Sequence, residues 1–393
     1  SVCSSNTTEG SNPSLSAKYN DMKKNFINIL IIFLTSIILD LFFTFFFFSK
    51  FNFYEKIYPS LDHRIANVNY HHSFSENVST FDYWGNYKYK FKTNSLGFKD
   101  KTNREIIRVT NSKKRVIIIG DSFTEGIGYE YDNTFVGLLN SHKLNQNIEI
   151  LNAGVASQSP IIYFKKIKHL IEDKKIKFNE LIVFLDISDI PDEYYYDIDF
   201  DSSDKKNYNL RDYLQTFFIK NSSLYLFFDV IFSKINFQKE HYIFKYKASK
   251  EFNIAFLKTT NQEINLYKSL YVERGMWSHD MKTWNLHGAK GRELANLYLN
   301  KLFELCKKNN IKFTLAIYPW PIHIFYKHDP SFHRNYWIDW AKNKNIKLID
   351  FFEYFLNDDP EKIIKKYFIN GDIHWNKEGH NLIHQKLMKE YFK

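Results

Sequence analysis

Residues 115–126 read RVIIIGDSFTEG. Val116 to Gly120 carry no charge, the pattern of a strand buried on both faces. The run ends on Asp121 and Ser122, a carboxylate and a hydroxyl at the mouth of an apolar strand. Two readings fit. Ser122 and Glu125 have the S-x-x-E spacing of a helix capping box. Alternatively, Ser122 is a nucleophile. Open parallel sheets bind ligands outside the carboxyl ends of their strands, and a serine there needs only a base within reach.

Outward from this stretch the chain alternates strand and helix patterns. IEILNAG (148–154), ELIVFLDISD (180–189), IKFTLAIYP (311–319) and IKLIDFF (346–352) read as further strands. Between them NTFVGLLNSHKL (133–144), with Asp132 or Asn133 as its cap, and IIYFKKIKHLIEDKK (161–175) read as helices. GRELANLYLNKLFELCKKN (291–309), HRNYWIDWAKNKN (333–345) and a last helix capped by Asn376 follow. Strands separated by helices predict an α/β domain over 111–393, with about five parallel strands in a three-layer sandwich. The rhythm breaks between Pro191 and Met281, an insertion of about ninety residues, too long for a connection. It holds LRDYLQTFFIKNSSLYLFFDVIFSKI (210–235), read as one or two helices. It serves either as a lid or substrate-binding element beside the strand ends, or as a hairpin packed on the sheet. Residues 49–110 form a membrane-proximal segment in which YKYKFK alternates as a short half-buried strand.

At 44% hydrophobic and 18% aromatic, the 393 residues can bury a large core. The net charge of +10 comes from lysines scattered among acids, as in EDKKIKFNE, so no nucleic-acid partner is expected. Two cysteines, Cys3 and Cys306, exclude a disulfide framework and Cys-rich metal sites. Residues 26–48, FINILIIFLTSIILDLFFTFFFF, would span about 34 Å as a helix, enough to cross a bilayer. Asp40 is its one charge, costing about 2.5–3.5 kcal/mol at mid-membrane. Lys23 and Lys24 ahead of it favour an inside N-terminus. No small-residue cleavage site follows, so the segment reads as an anchor. Residues 1–25 are expected to be a disordered leader, with Met22 a natural start and 1–21 an upstream extension.

A serine nucleophile needs a base, and the base needs an orienting group. In NGDIHWNKEGH, Asp372 and His374 are two apart. In extended backbone they project to one side, so the carboxylate can hold Nδ1–H and leave Nε2 free. An isolated D-x-H is more often a surface ion pair. HNLIH places His380 and His384 at metal-ligand spacing but lacks the H-E-x-x-H glutamate, so no metal or other cofactor is expected. YPWPIH ends the fourth strand and offers Tyr318, Trp320 and His323 as cleft walls, with Asp121, Asn152 and Trp375 beside them.

Together, GDS after the first strand and DIHW before the last helix resemble the SGNH (GDSL-like) hydrolase superfamily, in the order Ser, Asp, His. The resemblance covers roughly residues 90–393, including the lead-in TNSLGFKD. It implies a flavodoxin-like sandwich and acyl-ester chemistry, with Ser122 as nucleophile, His374 as base and Asp372 as its orienter. Gly154 in LNAGVASQS falls where the family donates a backbone N–H to the oxyanion, beside the Ser122 N–H; a glycine for a tight turn is the plainer reading. The chain departs from the pattern in FLDISDIPDE, where Ser188 replaces the usual oxyanion asparagine. A D-x-H-W ending resembles SGNH-like proteins of exopolysaccharide O-acetylation. The implied protein is a single-pass, membrane-anchored serine esterase facing the periplasm or exterior. Its substrate would be an acylated glycan or another ester. As a transferase it would need an acyl-donating membrane partner. An inactive glycan-binding or assembly module and a lipid esterase are the alternatives.

Overall fold

A computed structural model describes residues 15–48, 63–85, 87–110, 114–144, 146–201, 210–327 and 331–392. The chain divides into two compact units, Ser1–Pro59 with Asn207–Gln238, and Ser60–Lys206 with Lys239–Lys393.

The larger unit begins with two antiparallel hairpins, β1 (Arg64–Asn67) with β2 (His71–Phe74), and β3 (Ser79–Trp84) with β4 (Tyr87–Lys92). In β4 the expected alternation holds: Tyr89 and Phe91 are buried, Lys88 and Lys90 exposed. A sheet follows, made of β5 (Lys114–Gly120), β6 (Ile148–Asn152), β7 (Glu180–Leu185), β8 (Lys312–Ile317) and β9 (Lys347–Asp350). Its five strands are parallel, in the order β6-β5-β7-β8-β9. Helices cover both faces, which is why β5 and β7 read as apolar runs. Pro160–Glu172, Asp189–Asp201 and Ala289–Lys308 pack together in one layer. Phe135–Leu144, Lys377–Glu390 and Pro360–Tyr367 make up the other.

The strand order reverses between β5 and β7, and a sheet of this kind opens a crevice at that switch point, beyond the carboxyl ends. Register brings those ends into one rim: Ile118 is opposite Asn152, Gly120 opposite Phe184, and Ile317 opposite both Leu185 and Asp350. Helix entries fit local chemistry. Asn376 accepts from Gly379 N–H, and Asp359 accepts from Lys362 N–H ahead of Pro360. The cap of Phe135–Leu144 is neither Asp132 nor Asn133. Those residues lie in a single 3₁₀ turn, and the Thr134 hydroxyl accepts from Gly137 N–H at 3.1 Å. The insertion holds more helix than expected: Asp189–Asp201, Leu210–Asn221, Ser223–Glu251 and Asn261–Leu270. The last opens on a Thr260/Glu263 capping box.

In the smaller unit a helix runs Leu15–Phe43 and continues as a wider turn through Phe48. Met22–Phe46 is long and apolar enough to cross a membrane. The expected disordered leader is helical from Leu15, because residues 15–25 lack Gly and Pro and continue the helix. Residues 1–14 lie outside the described residues.

The first hairpins are tied to the sheet by charge. Arg64 bonds Glu125 at 2.5 Å and Asp82 at 2.6 Å, and both carboxylates are buried. The Tyr89 hydroxyl also donates to Asp82, at 3.0 Å. Arg64→Met should leave two buried carboxylates without their cation, at a cost of about 3–5 kcal/mol. Chemical unfolding in detergent measures it. A loss below about 1 kcal/mol, the range of surface pairs, would contradict this account of the hairpins.

Candidate active site

β5 delivers Ser122 to the rim. Ser122 opens a four-residue helix, Ser122–Glu125, but does not cap it. Asp121 is the cap, accepting from Phe123 N–H at 3.1 Å. Glu125 does not reach back; it binds Arg64 and accepts from Ala156 N–H at 2.8 Å. The capping-box reading therefore fails, and the Ser122 hydroxyl is left for other partners. Its Oγ lies 2.8 Å from His374 Nε2 and 3.0 Å from Asp121 Oδ2. One hydroxyl proton cannot serve both. With His374 neutral it goes to Nε2; with His374 protonated, Nε2–H donates to Oγ and the hydroxyl turns to Asp121.

His374 Nδ1 lies 2.6 Å from Asp372 Oδ1, and the same oxygen accepts from His374 N–H at 3.0 Å. The segment is not the extended strand used to argue this pairing. It is a tight reversal, with Gly371 at φ +78°, Ile369 N–H donating to His374 C=O, and Asp372 N–H donating to Ile369 C=O. The reversal turns the carboxylate back over its own backbone. Trp84, from β3, donates Nε1–H to the other oxygen, Asp372 Oδ2, at 2.6 Å. Its ring stands edge-on to His374, with centroids 5.0 Å apart.

Burial alone would raise the Asp372 pKa, but its bonds to His374 and Trp84 bring it down to about 2. Burial would lower His374, yet the bond and charge of Asp372, with Asp121 and Asp186 behind, raise it. Asp121 is pushed up to about 7, first by burial and then by Asp186. Asp189 is driven well above the carboxylate range by burial and by Asp121 and Asp186.

Asp186 and Asp189, at the end of β7, were not singled out from sequence. With Asp121 they form a buried cluster whose oxygens lie within 4.8 Å of one another, an arrangement that could ligate a cation. Protein donors already face it. Trp320 Nε1–H donates to Asp186 at 2.8 Å, and the Tyr163 hydroxyl donates to Asp189 at 3.0 Å. Trp84 was also missed. Nothing in YWGNY marks it; only the fold brings it to Asp372.

Two of the three expected oxyanion donors are engaged elsewhere. Gly154 N–H donates to Asn152 Oδ1 at 3.0 Å, and the Ser188 hydroxyl to Asp186 Oδ1 at 2.6 Å. Among the described residues, no acceptor engages the Ser122 N–H. Gly154 is required by close approach rather than by a turn. A Cβ there would sit 2.6 Å from the Glu125 nitrogen and 2.7 Å from Thr124 Cβ. The five residues offered as cleft walls, Asp121, Asn152, Tyr318, Trp320 and Trp375, are all buried. Three of them turn their polar atoms inward. Trp320 holds Asp186, the Tyr318 hydroxyl lies 3.4 Å from Asp121, and Asn152 Nδ2 donates to Thr124 C=O. His323 is buried too, against Ser278. His380 and His384 do not converge: His380 accepts from Phe135 N–H, while His384 pairs with His142.

No family model matches this chain, and no curated protein matches it. Solved structures do. A member of the lipolytic G-D-S-L family from Veillonella parvula DSM 2008 is 13% identical with a TM-score of 0.38, covering 71% of this chain and 99% of that one. An acetyl xylan esterase is 11% identical with a TM-score of 0.38, covering 70% of this chain and 99% of that one. A psychrotrophic esterase from Pseudoalteromonas sp. is 12% identical with a TM-score of 0.36, over 70% of this chain and 96% of that one.

Trp84 positions Asp372 and holds part of its negative charge. Trp84→Phe keeps a ring but removes the N–H, leaving the carboxylate more available to imidazolium. The His374 pKa should then rise, so the acid limb of the kcat/KM profile should move to higher pH. A profile unchanged from wild type would show that the Trp84 N–H does not act on the pair.

Proposed function

We propose that this chain is a serine-dependent carboxylic ester hydrolase working through an acyl-enzyme. One observation carries the reading: the unbroken chain of hydrogen bonds from Ser122 Oγ to His374 Nε2, and from Nδ1 to Asp372. His374 Nε2 takes the hydroxyl proton as Oγ attacks the ester carbonyl. The tetrahedral intermediate collapses by breaking its bond to the alkoxide, which takes the proton from Nε2. Water then attacks the acyl-enzyme by the same route and frees Ser122. Asp372, ionised down to about pH 2, keeps the imidazole in the tautomer that leaves Nε2 open and stabilises the imidazolium.

Ser122 is only 8% exposed, and its neighbours Phe123 and His374 pack ring against ring, with centroids 4.9 Å apart. So little room favours a short acyl group. With the D-x-H-W ending it supports acetyl esters of envelope or extracellular glycans as substrate. Lys23 and Lys24, ahead of the apolar run 26–48, support a catalytic unit on the far side of the membrane from them. Transfer to a sugar hydroxyl instead of water would need an acyl-donating partner. The engaged Gly154 and Ser188 donors favour one other reading, an inactive module of this fold that binds glycan or assembles an envelope complex.

Activity on aryl esters separates these. Ser122→Ala should abolish hydrolysis of an aryl acetate while leaving the melting temperature near wild type, because Asp121 and not Ser122 caps the helix. Wild type should prefer acetyl to long-chain esters. An inactive wild type, or a fully active Ser122→Ala, would overturn the proposal. Ser188→Ala should lower kcat by about tenfold at most, against the roughly 10²–10³-fold loss of a full oxyanion donor, because its hydroxyl serves Asp186. A larger loss would make Ser188 a working oxyanion donor.

A further inference from the structure

We propose that residues 210–238 form a second membrane-embedded element, two consecutive helices bonded to the apolar helix at Asp40 and facing lipid acyl chains. The proposal rests on reading Met22–Phe46 as a membrane span. Its starting point is Asp40, the one charge between Phe26 and Phe48. Asp40 Oδ1 accepts from the Ser223 hydroxyl and from Leu224 N–H, each at 2.8 Å. Thr44, one turn on, accepts from Ser223 N–H at 2.9 Å. The charge is thus matched to free backbone donors at the start of helix Ser223–Glu251, which water would otherwise have to satisfy. Asp40 lies six residues before Phe46, about 9 Å along the helix from the end of the span. A partner bonded to it at that point enters the acyl-chain region too.

The surface of these helices suits that place. In Ser223–Glu251, Leu224, Phe227, Phe228, Phe232 and Ile235 fall within a sector of about 140° and are exposed, and Phe237 is exposed outside it. Leu226, on the opposite side, is buried, as is Ser223 where it bonds Asp40. The preceding helix adds exposed Leu214, Phe217 and Phe218. An outward stripe of large apolar side chains is the inverse of a water-soluble helix. Residues 210–238 and the span, whose apolar side chains are also exposed, belong to one compact unit. Lipid is therefore the occupant that one environment can supply to both.

Nitroxide labels on the full chain test this, in vesicles of phosphatidylethanolamine and phosphatidylglycerol. Cys3→Ser removes a native thiol, and Cys306 is buried. Labels go at Phe228→Cys and Phe232→Cys, with Leu34→Cys in the span and Lys301→Cys on the larger unit as references. At 228 and 232, collisions with oxygen should exceed those with a water-soluble nickel chelate severalfold, as at 34, with the reverse at 301. Chelate-dominated collisions at 228 and 232, with 34 in lipid, would overturn the second element and leave the anchor standing. Low collisions with both reagents would overturn it in favour of a protein-covered face, a lid or a second copy of the chain. An aqueous label at 34 would remove the anchor reading and the second element with it.

Discussion

A 2.8 Å contact between Ser122 Oγ and His374 Nε2 joins residues 252 apart in sequence. It depends on the β5–β7 switch point, which fixes Ser122 at the carboxyl rim. It depends equally on the reversal before helix Lys377–Glu390, which presents His374 to that rim. The cap at Asp121 frees the serine hydroxyl. Glu125, which might have closed the cap, instead braces the elbow against Arg64 and the Ala156 backbone. The absence of a Cβ at Gly154 lets the β6 loop come within contact of that elbow. Each of these features is local, and together they hold Ser122 Oγ and His374 Nε2 at hydrogen-bond distance.

The electrostatics of the site follow from what lies on each side of His374. Asp372 in front is ionised over almost the whole pH range, while Asp121 behind titrates near 7. The linkage has two signs. Asp372, depressed in the folded state, contributes stability above its unfolded pKa, lost as pH falls towards about 2. Asp121, raised in the folded state, favours folding below its unfolded pKa, and that contribution is lost as pH rises through about 7. Over the same range an ionised Asp121 competes for the Ser122 proton. Asp186, at the end of β7, acts on this hydroxyl through Asp121, whose pKa it helps to raise.

The sheet was legible because parallel strands buried on both faces leave unbroken apolar runs, as in Val116–Gly120 and Leu181–Leu185. Ser122, Asp372 and His374 were legible because the chemistry demands those residue types, and two of them lie two apart. Trp84 and Arg64 were not. They reach the site from hairpins far away in sequence, and no local pattern records such a contact. The cleft walls were misplaced for a related reason. Sequence puts Tyr318, Trp320 and Asn152 on the rim, but only the hydrogen bonds to Asp186, Asp121 and Thr124 turn them inward. Asp40 looked like a cost within an apolar run; its partners lie more than 180 residues on.

The central claim is that Ser122 is a nucleophile activated by His374. A fluorophosphonate that reacts only with activated serines measures this directly, with the modified peptide located by mass spectrometry. The account predicts a single adduct on the peptide containing Ser122, and its loss in His374→Ala. No adduct on a folded wild-type chain, or an adduct equally strong without His374, would contradict it.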